Sequence, residues 1–340
     1  MVEKISRKIL KEVLKVGFEI SKEKAGNFLL VDDEVVIKEI NDIFRNQVEV
    51  LTIKDAKRKY GIKVGKNVDG GVFIRIPKNA TIMFPFQACF LMKDFDEQRV
   101  FNCIVIEEGA NANILSGCTS MKASVLHVGA TKIIVGKNAK LHYTMIHNWR
   151  KDMRAFPAAN IVAKEGSKVT HNYVHLGEGE TRAVVHARCN NANMSFNSIV
   201  SSRKEAKVEI SDVASLSSSS AEIIARVVAR DHSRVKVRSR IEGFSRSKGH
   251  VECRGLLMDN AKMESVPELL ACGEGNELTH EAAIGKIAEK ELLYLMSRGF
   301  SEKEATSLIV KGFLDVNLLG LPERISKGIE KIIEKSGAFM

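Results

Sequence analysis

Six cysteines, at positions 89, 103, 118, 189, 253 and 272, are the softest potential ligands in the 340-residue chain, and none forms a C-x-x-C pair. A zinc ribbon uses such pairs because two thiolates that close in sequence reach one ion, so the spacing argues against that site. Wide spacing in a long chain also argues against a disulfide framework. The first residues, MVEKISRKILKEVLKVGF, are too interrupted by Lys and Glu for a secretory signal, and a cytoplasmic protein with reduced thiols is expected. The default role of such a thiol is that of a small buried hydrophobe. His171 and His175 stand four apart, a metal-binding spacing on a helix, but Val169–His175 reads as a strand, which puts them about 13 Å apart. Gly61-Ile62-Lys63-Val64-Gly65-Lys66-Asn67 falls one residue short of a phosphate-cradling P-loop, and Gly136-Lys137-Asn138 lacks both the earlier Gly and the hydroxyl. No nucleotide is expected to bind this chain. Ser217 to Ser220 lack a Gly-x-Ser-x-Gly elbow, so nucleophilic catalysis is not indicated. His127, His142 and His147 read as surface residues.

Hydrophobic residues make up 44% and charged residues 28%, as in an ordinary folded protein, and no uncharged apolar run is long enough to span a membrane. The net charge of +10 raises nucleic acid as a partner. One Trp, four Tyr and no RGG, RNP or zinc-finger pattern disfavour it, leaving a solvated basic surface or one that faces an acidic protein.

Three textures follow one another, suggesting an N-terminal helical region over 1–67, a β core over 68–278 and a C-terminal helical domain over 279–340. Ile5, Ile9, Val13, Val16 and Ile20 recur at helical steps, and Val36, Ile37, Ile40, Ile43 and Phe44 suggest a second helix. From about 68, short β-branched runs such as Val72–Ile76, Ile104–Ile106 and Ile133–Val135 alternate with Gly, Asn and Asp turns and almost no proline. The turn residues Gly109, Gly136, Gly166 and Asn191 are 27, 30 and 25 apart, and Asp231 and Asn260 are 29 apart. The gap of 40 between Asn191 and Asp231 fits only with an added turn near Glu205. A strand-and-turn period of this size predicts stacked coils, with a β-sandwich as the competitor. Helices return from about 284. Ile284, Ile287, Ala288, Leu292, Leu295 and Met296 mark one face. Ser301 and Glu304 form a capping box opening a second helix faced by Ala305, Leu308, Ile309, Phe313 and Val316. Pro322 sits near the start of a third, lined by Ile325, Ile329, Ile332 and Ile333.

The run THEAAIGKIAEKELLYLMSRGFSEKEATSLIVKGFLDV (279–316) resembles the end of the SufBD family of iron–sulfur cluster assembly proteins, with its H-E-A, R-G-[IL]-S-E and I-V-x-G-F segments. Leu115-Ser116-Gly117-Cys118-Thr119 with Leu126-His127 is similar to that family's G-C-[TS] segment and following L-H, Gln98-Arg99-Val100 with 104–109 to the segment before it, and His147-Asn148-Trp149 to its Q-N-W. The resemblance covers most of 85–320 and implies a right-handed parallel β-helix (solenoid) flanked by N- and C-terminal α-helical regions. The N-terminal region matches weakly.

The resemblance further implies an iron–sulfur scaffold that carries a transient iron–sulfur cluster, with Cys253, His280 and Glu281 matching the residues that SufB members place near the end of the β-helix. Thiolate mixed with imidazole or carboxylate suits a cluster that must be released. Cys253 and His280 lie 27 apart, close to one coil, so stacking would put them on adjoining strands about 4.8 Å apart. His280 and Glu281, being consecutive, would face opposite sides unless the strand ends there. Cys118 is the candidate acceptor of sulfur as persulfide, with a buried strand cysteine as the alternative. The family also implies a SufC-type ABC ATPase docking on the C-terminal helices, for which Leu308, Ile309 and Phe313 are the candidates, a sulfur donor, and apo-protein recipients. It pairs two related chains through their β-helices, as a SufB/SufD-type heterodimer or, expected here because both Cys253 and the His-Glu pair occur in one chain, a homodimer. Three alternatives stand beside this: a SufD-like partner without its own cluster, a β-helical polysaccharide enzyme, which would need aligned carboxylates, and a basic nucleic-acid-binding solenoid.

Overall fold

In the computed structural model, which describes residues 5–20, 23–319 and 323–335, the chain winds into a two-walled β-solenoid. Each coil contributes one strand to each of two sheets, and within the coils every neighbouring strand pair is parallel. One sheet runs from Gly26–Val31 through Phe86–Met92, Asn111–Ser120, Lys140–Trp149, Lys168–Gly177, Asn193–Ser202, Ser220–Ala229 and Lys248–Leu257 to Glu277–Lys286. The other runs from Val72–Ile76 through Glu97–Ile106, Leu126–Val135, Arg154–Ala163, Glu180–Asn190, Lys207–Ser217 and Arg234–Ser245 to Lys262–Ala271.

The walls read differently in sequence because they meet different surroundings. In Lys207–Ser217 the inward Val208, Ile210, Asp212, Ala214 and Leu216 are buried while the residues between them meet solvent, the alternation of a sheet with one wet face. Asn193–Ser202 is buried almost throughout. Its outer face lies beneath the terminal helices, where Val13, Val16, Val310, Leu314, Ile329, Ile332 and Ile333 pack on Ile146, Val174 and Ile199. These two sheets are called the bare and covered sheets below.

Coil length is set at the turns. Asn79, Gly109, Asn138, Gly166, Asn191, Ser218, Arg246 and Gly275 all have positive φ and form one column of left-handed turn residues, one per coil. Asp152, Lys204, Asp231 and Asp259 belong to the turns at the opposite rim. The irregular 40-residue interval in the sequence therefore joins Asn191 on one rim to Asp231 on the other. Left-handed backbone favours Gly, Asn and Asp, which is why the period is visible in those residues.

The second amphipathic run is not a helix. Glu34–Ile40 is a strand that folds back antiparallel on Gly26–Val31, turning at Asp32 (φ 54°), whose carboxylate Oδ1 accepts from the backbone N–H of Lys93 at 2.8 Å. Val35, Val36 and Ile37 favour the pleated form, and partner strands override a helical period this short. Residues 26–52 thus contribute strands to both sheets, and among the described residues before 52 helix is confined to Arg7–Val13 and two short 3₁₀ turns. Ile284 likewise lies in a strand, Glu277–Lys286, and the helix that follows begins only at Glu289. Another coil stacked on Lys248–Leu257 outweighs the helical pattern there, and Gly285 weakens the helix further. The capping box of Ser301 and Glu304 forms as its residues dictate. Ile329, Ile332 and Ile333 are buried, while Pro322 and the Ile325 side chain lie outside the described residues.

Gly166 has φ +69°, and a Cβ there would lie 2.0 Å from Asn138 Oδ1 in the preceding turn. Gly166→Ala is expected to lower stability by about 1–2 kcal/mol, read as a lower urea midpoint, whereas Asn191→Gly in the same column should change it by less than half as much. Equal midpoints for Gly166→Ala and the parent chain would contradict the turn-column account.

Candidate functional site

The inward rows of the covered sheet carry an unusual side-chain series. Ser116, Met145, Tyr173, Ser198, Ala225, Cys253 and Ala282 occupy one row in successive coils. Cys118, His147 and His175 occupy the next row, and Tyr143, His171 and Phe196 the row on the other side. Across the interior the bare sheet contributes His127, Asn102, Thr131, Asp212 and Ser239. His127 and His147, read as surface residues, point inward and are fully buried. A strand's alternation gives both faces equally from sequence, and only the register shows which is inside.

These groups hold one another in place. His147 Nδ1 is 3.0 Å from the Tyr173 hydroxyl, and His127 Nδ1 is 3.2 Å from Gln98 Oε1. His147 packs on Trp149 with ring centroids 5.0 Å apart. His147 Nε2, Trp149 Nε1 and both ring nitrogens of His175 are buried without a protein partner. Desolvation holds His127, His171 and His175 down to about 4 and also pushes His147 well below its ordinary range, with its imidazole neighbours His127 and His175 adding to the effect. Burial lifts the Asp212 carboxyl to about 7, opposed only by the Ser198 hydroxyl. It also pushes the Cys118 thiol far above its ordinary range.

Cys253 faces the same interior one coil from the end and is buried. Burial raises its thiol, while the Ser265 hydroxyl and the Arg226 guanidinium pull the other way. Its register partner is Ala282. His280 stands opposite Val251, so successive coils here are 29 residues apart and the 27-residue stacking of Cys253 on His280 does not occur. The two residues are diagonal neighbours on one inward face, with Cα atoms about 7–8 Å apart by sheet geometry. His280 is exposed because the final coil has no further coil above it. Glu281 lies in mid-strand, faces outward and accepts from Arg254 at 3.1 Å. It thus stands on the other side of the strand from Cys253 and His280.

The outward face holds a group that the sequence did not single out. His250, Glu252 and Glu281 each place one ligand atom within 4.8 Å of the others. Glu252 is paired with Arg226 at 2.5 Å and Arg254 at 2.8 Å, so the carboxylates there are already neutralised. The signal was the two-residue step between His250 and Glu252, which puts them on one face.

Among the proposed docking residues Leu308 is exposed, Ile309 is half-buried, and Phe313 packs against the core beneath the helices. Leu293, Tyr294, Met296 and Phe300 are exposed close by in sequence. Five cysteines are buried and Cys272 is exposed. No helix among the described residues is long and apolar enough to cross a membrane.

The fold and site together are those of a parallel β-solenoid with thiols and imidazoles turned inward and an uncapped final coil. The family model for the SUF system FeS cluster assembly SufBD core domain matches residues 94–313. A protein of Archaeoglobus fulgidus named as an iron–sulfur cluster assembly SufBD family protein is 36% identical, over 95% of this chain and 94% of its own length. Relatives named in the same way from Methanothermobacter thermautotrophicus (strain Winter) and Staphylococcus epidermidis (strain ATCC 12228) are 30% and 28% identical, covering 98% and 97% of this chain and 88% and 73% of their own lengths. The chain belongs to the SufBD family, which gives it a role in iron–sulfur cluster assembly.

The interior imidazoles make stability depend on pH in a direction that follows from their shifts. Unfolded histidines take up protons below about 6.5 while the native ones stay neutral to about 4, so stability should rise with pH across that window by on the order of 2–3 kcal/mol per imidazole. Asp212 acts oppositely: the native state keeps its proton to about 7 and the unfolded state releases it above about 4, so it subtracts stability as pH rises. Three imidazoles outweigh one carboxyl. Denaturant titrations should show lower stability at pH 5 than at pH 7, with a steeper rise in Asp212→Asn. A flat or inverted profile in the parent chain would show that the imidazoles are not held neutral.

Proposed function

We propose that this chain is an iron–sulfur cluster assembly scaffold that builds its cargo at the open end of the solenoid, with Cys253 as thiolate ligand and His280 beside it. The observation that supports this is their placement on one inward face at the coil where the stack stops. A buried thiol and an exposed imidazole leave iron with open coordination positions, which suits a cluster held for release. Glu281 serves from the outward face or reaches the cargo after rearrangement of the last coil.

The remaining ligands come from a second chain. Lys262–Ala271 and Glu277–Lys286 are the end strands of their sheets, and Leu270 and Ile284 are exposed there. Unpaired edge strands with apolar side chains attract another chain. A homodimer joined at these ends brings two sets of Cys253 and His280 together, and a SufB/SufD-type heterodimer is the alternative pairing.

Sulfur reaches the end from within. Cys118 and Cys253 open into the same interior five coils apart, about 24 Å along the stack, with His147, His175, Tyr173, Ser198 and Asp212 facing the space between them. Cys118 is the acceptor in this scheme, taking sulfur as persulfide from a sulfur donor. Energy comes from a SufC-type ATPase docked on the exposed Leu293, Tyr294, Met296, Phe300 and Leu308, and the finished cluster passes to apo-protein recipients.

Anaerobic reconstitution with ferrous iron and sulfide tests the site. Cys253→Ser should lose most of the visible sulfide-to-iron absorbance, His280→Ala should lower it severalfold, and the exposed Cys272→Ser should match the parent chain. Unchanged absorbance in Cys253→Ser removes that thiol from the ligand set. Separately, Leu308→Asp with Tyr294→Asp should abolish copurification with a coexpressed SufC-type ATPase, and undiminished copurification would place the docking surface elsewhere.

A further inference from the structure

Pro157 stands in the middle of Arg154–Ala163, a strand with neighbours on both sides. Proline cannot donate to a ladder and is ordinarily confined to edge strands and bulges. Pro267 obeys that rule, since Lys262–Ala271 is the last strand of its sheet. Pro157 does not. The pairing of Arg154–Ala163 with Glu180–Asn190 is interrupted there: Ala155 pairs with Thr181 and Ala158 with Val184, but the two positions between are unpaired at constant register. The flanking ladders, Leu126–Val135 with Arg154–Ala163 and Glu180–Asn190 with Lys207–Ser217, are unbroken.

On the other side of Pro157 its register partner is Gly129, also inward-facing. Gly129 presents no side chain where a Cβ would stand 3.3 Å from His127 Nε2. Both residues are half-exposed, although the inward residues beside them, Ala155, Ala159, His127 and Thr131, are buried. A cavity of about 30 Å³ lies behind them, room for one or two water-sized molecules. Its lining takes in Cys118, His147 and Tyr173 from within and extends to Ala158 and Val184 of the two strands whose pairing is interrupted, so the void reaches the gap in the sheet.

We infer that the gap at Gly129 and Pro157 is a port through which a terminal sulfane sulfur, and nothing as large as a side chain, reaches Cys118. The inference rests on Cys118 being the sulfur acceptor and says by which route the sulfur arrives. In the transfer, the Cys118 sulfur attacks the outermost sulfur of a polysulfide, the adjoining S–S bond breaks, and the shortened polysulfide leaves as its anion. Cys118 keeps one sulfane sulfur as a persulfide. The thiol proton is relayed to the departing polysulfide anion by way of His147 Nε2, which lacks a protein partner and lies one coil away in register with Cys118, so the imidazole ends neutral. One S–S bond replaces another, so no outside oxidant is consumed.

Full-length protein is treated with methyl methanethiosulfonate or with inorganic polysulfide, and modification of each cysteine is followed by peptide mass spectrometry. A bulky maleimide serves as the size control. Cys118 should react with both small reagents and be spared by the maleimide, while the exposed Cys272 reacts with all three. Ala158→Trp, a change on the outer surface, and Gly129→Val should each slow modification of Cys118 at least tenfold without altering that of Cys272. Pro157→Val, which restores a backbone donor, should do the same and raise the unfolding midpoint. An unreactive Cys118 in the folded parent chain overturns the port, as does an unchanged rate in folded Ala158→Trp. Neither result touches cluster assembly on Cys253, which is loaded from free sulfide, and a failed reconstitution would leave the labelling pattern readable.

Discussion

The molecule depends on one constraint: in a stacked two-walled solenoid, nearly every second residue of the strands below the final coil is taken out of water. Such a position normally holds Val, Ile, Leu or Ala, and most here do. A polar group placed there costs free energy unless it finds a partner. This chain nevertheless turns four histidines, two tyrosines, an aspartate and three of its widely separated cysteines inward. Parallel stacking makes the concentration possible, since residues about 27 apart in the chain become neighbours about 4.8 Å apart. No local motif accomplishes that.

The same constraint decides what could be read from sequence. The coil period was legible because left-handed turns demand Gly, Asn or Asp, and those residues recur. The turns of both rims use the same residue types, so one list mixed two columns and produced the 40-residue interval. Register was harder. The pairing of Cys253 with Ala282 rather than His280 depends on a coil of 29 residues instead of 27, a difference that turn composition cannot resolve. The face was legible, since an even displacement preserves it, and so both residues still point the same way. For His127 and His147 the alternation gave two equal choices, and inside was decided by their neighbours in other coils. Residues 34–40 show the opposite failure: a helical period was present, and a hairpin partner overrode it.

The covered and bare sheets divide the work of positioning. Under the helices, Gly117 admits Val16, where a Cβ would lie 2.7 Å away, and the buried Glu12 ties Lys15 and Arg150 together at 2.8 and 3.1 Å. That packing fixes the strand carrying Cys118 from outside, while its inward Ala112, Ile114 and Cys118 join the solenoid core. The bare sheet is held by its own ladders and outward ion pairs, so it can tolerate a local interruption such as the one at Pro157. A gap in the covered sheet would open only onto helices. Away from the open end, a route from solvent to the interior has to cross the bare wall.

Reactivity and stability pull apart along this interior. A thiol that is buried resists ionisation, and the thiolate is the form that attacks sulfur and binds iron. Cys118, deep in the stack, carries the larger penalty, and the groups near it are neutral imidazoles and phenols rather than cations. In the proposed scheme, sulfur transfer there couples loss of the thiol proton to formation of the S–S bond, which places a premium on a proton relay already in contact with the same cavity. Cys253 is also raised by burial, but Ser265 and Arg226 pull it down against Glu252, and it lies beneath a single coil. The gradient runs from a protected, protonated thiol toward one easier to ionise at the end where iron can enter. In the proposed transfer, a sulfur atom moving in that direction goes from where burial makes its anion most costly to where the penalty is smaller.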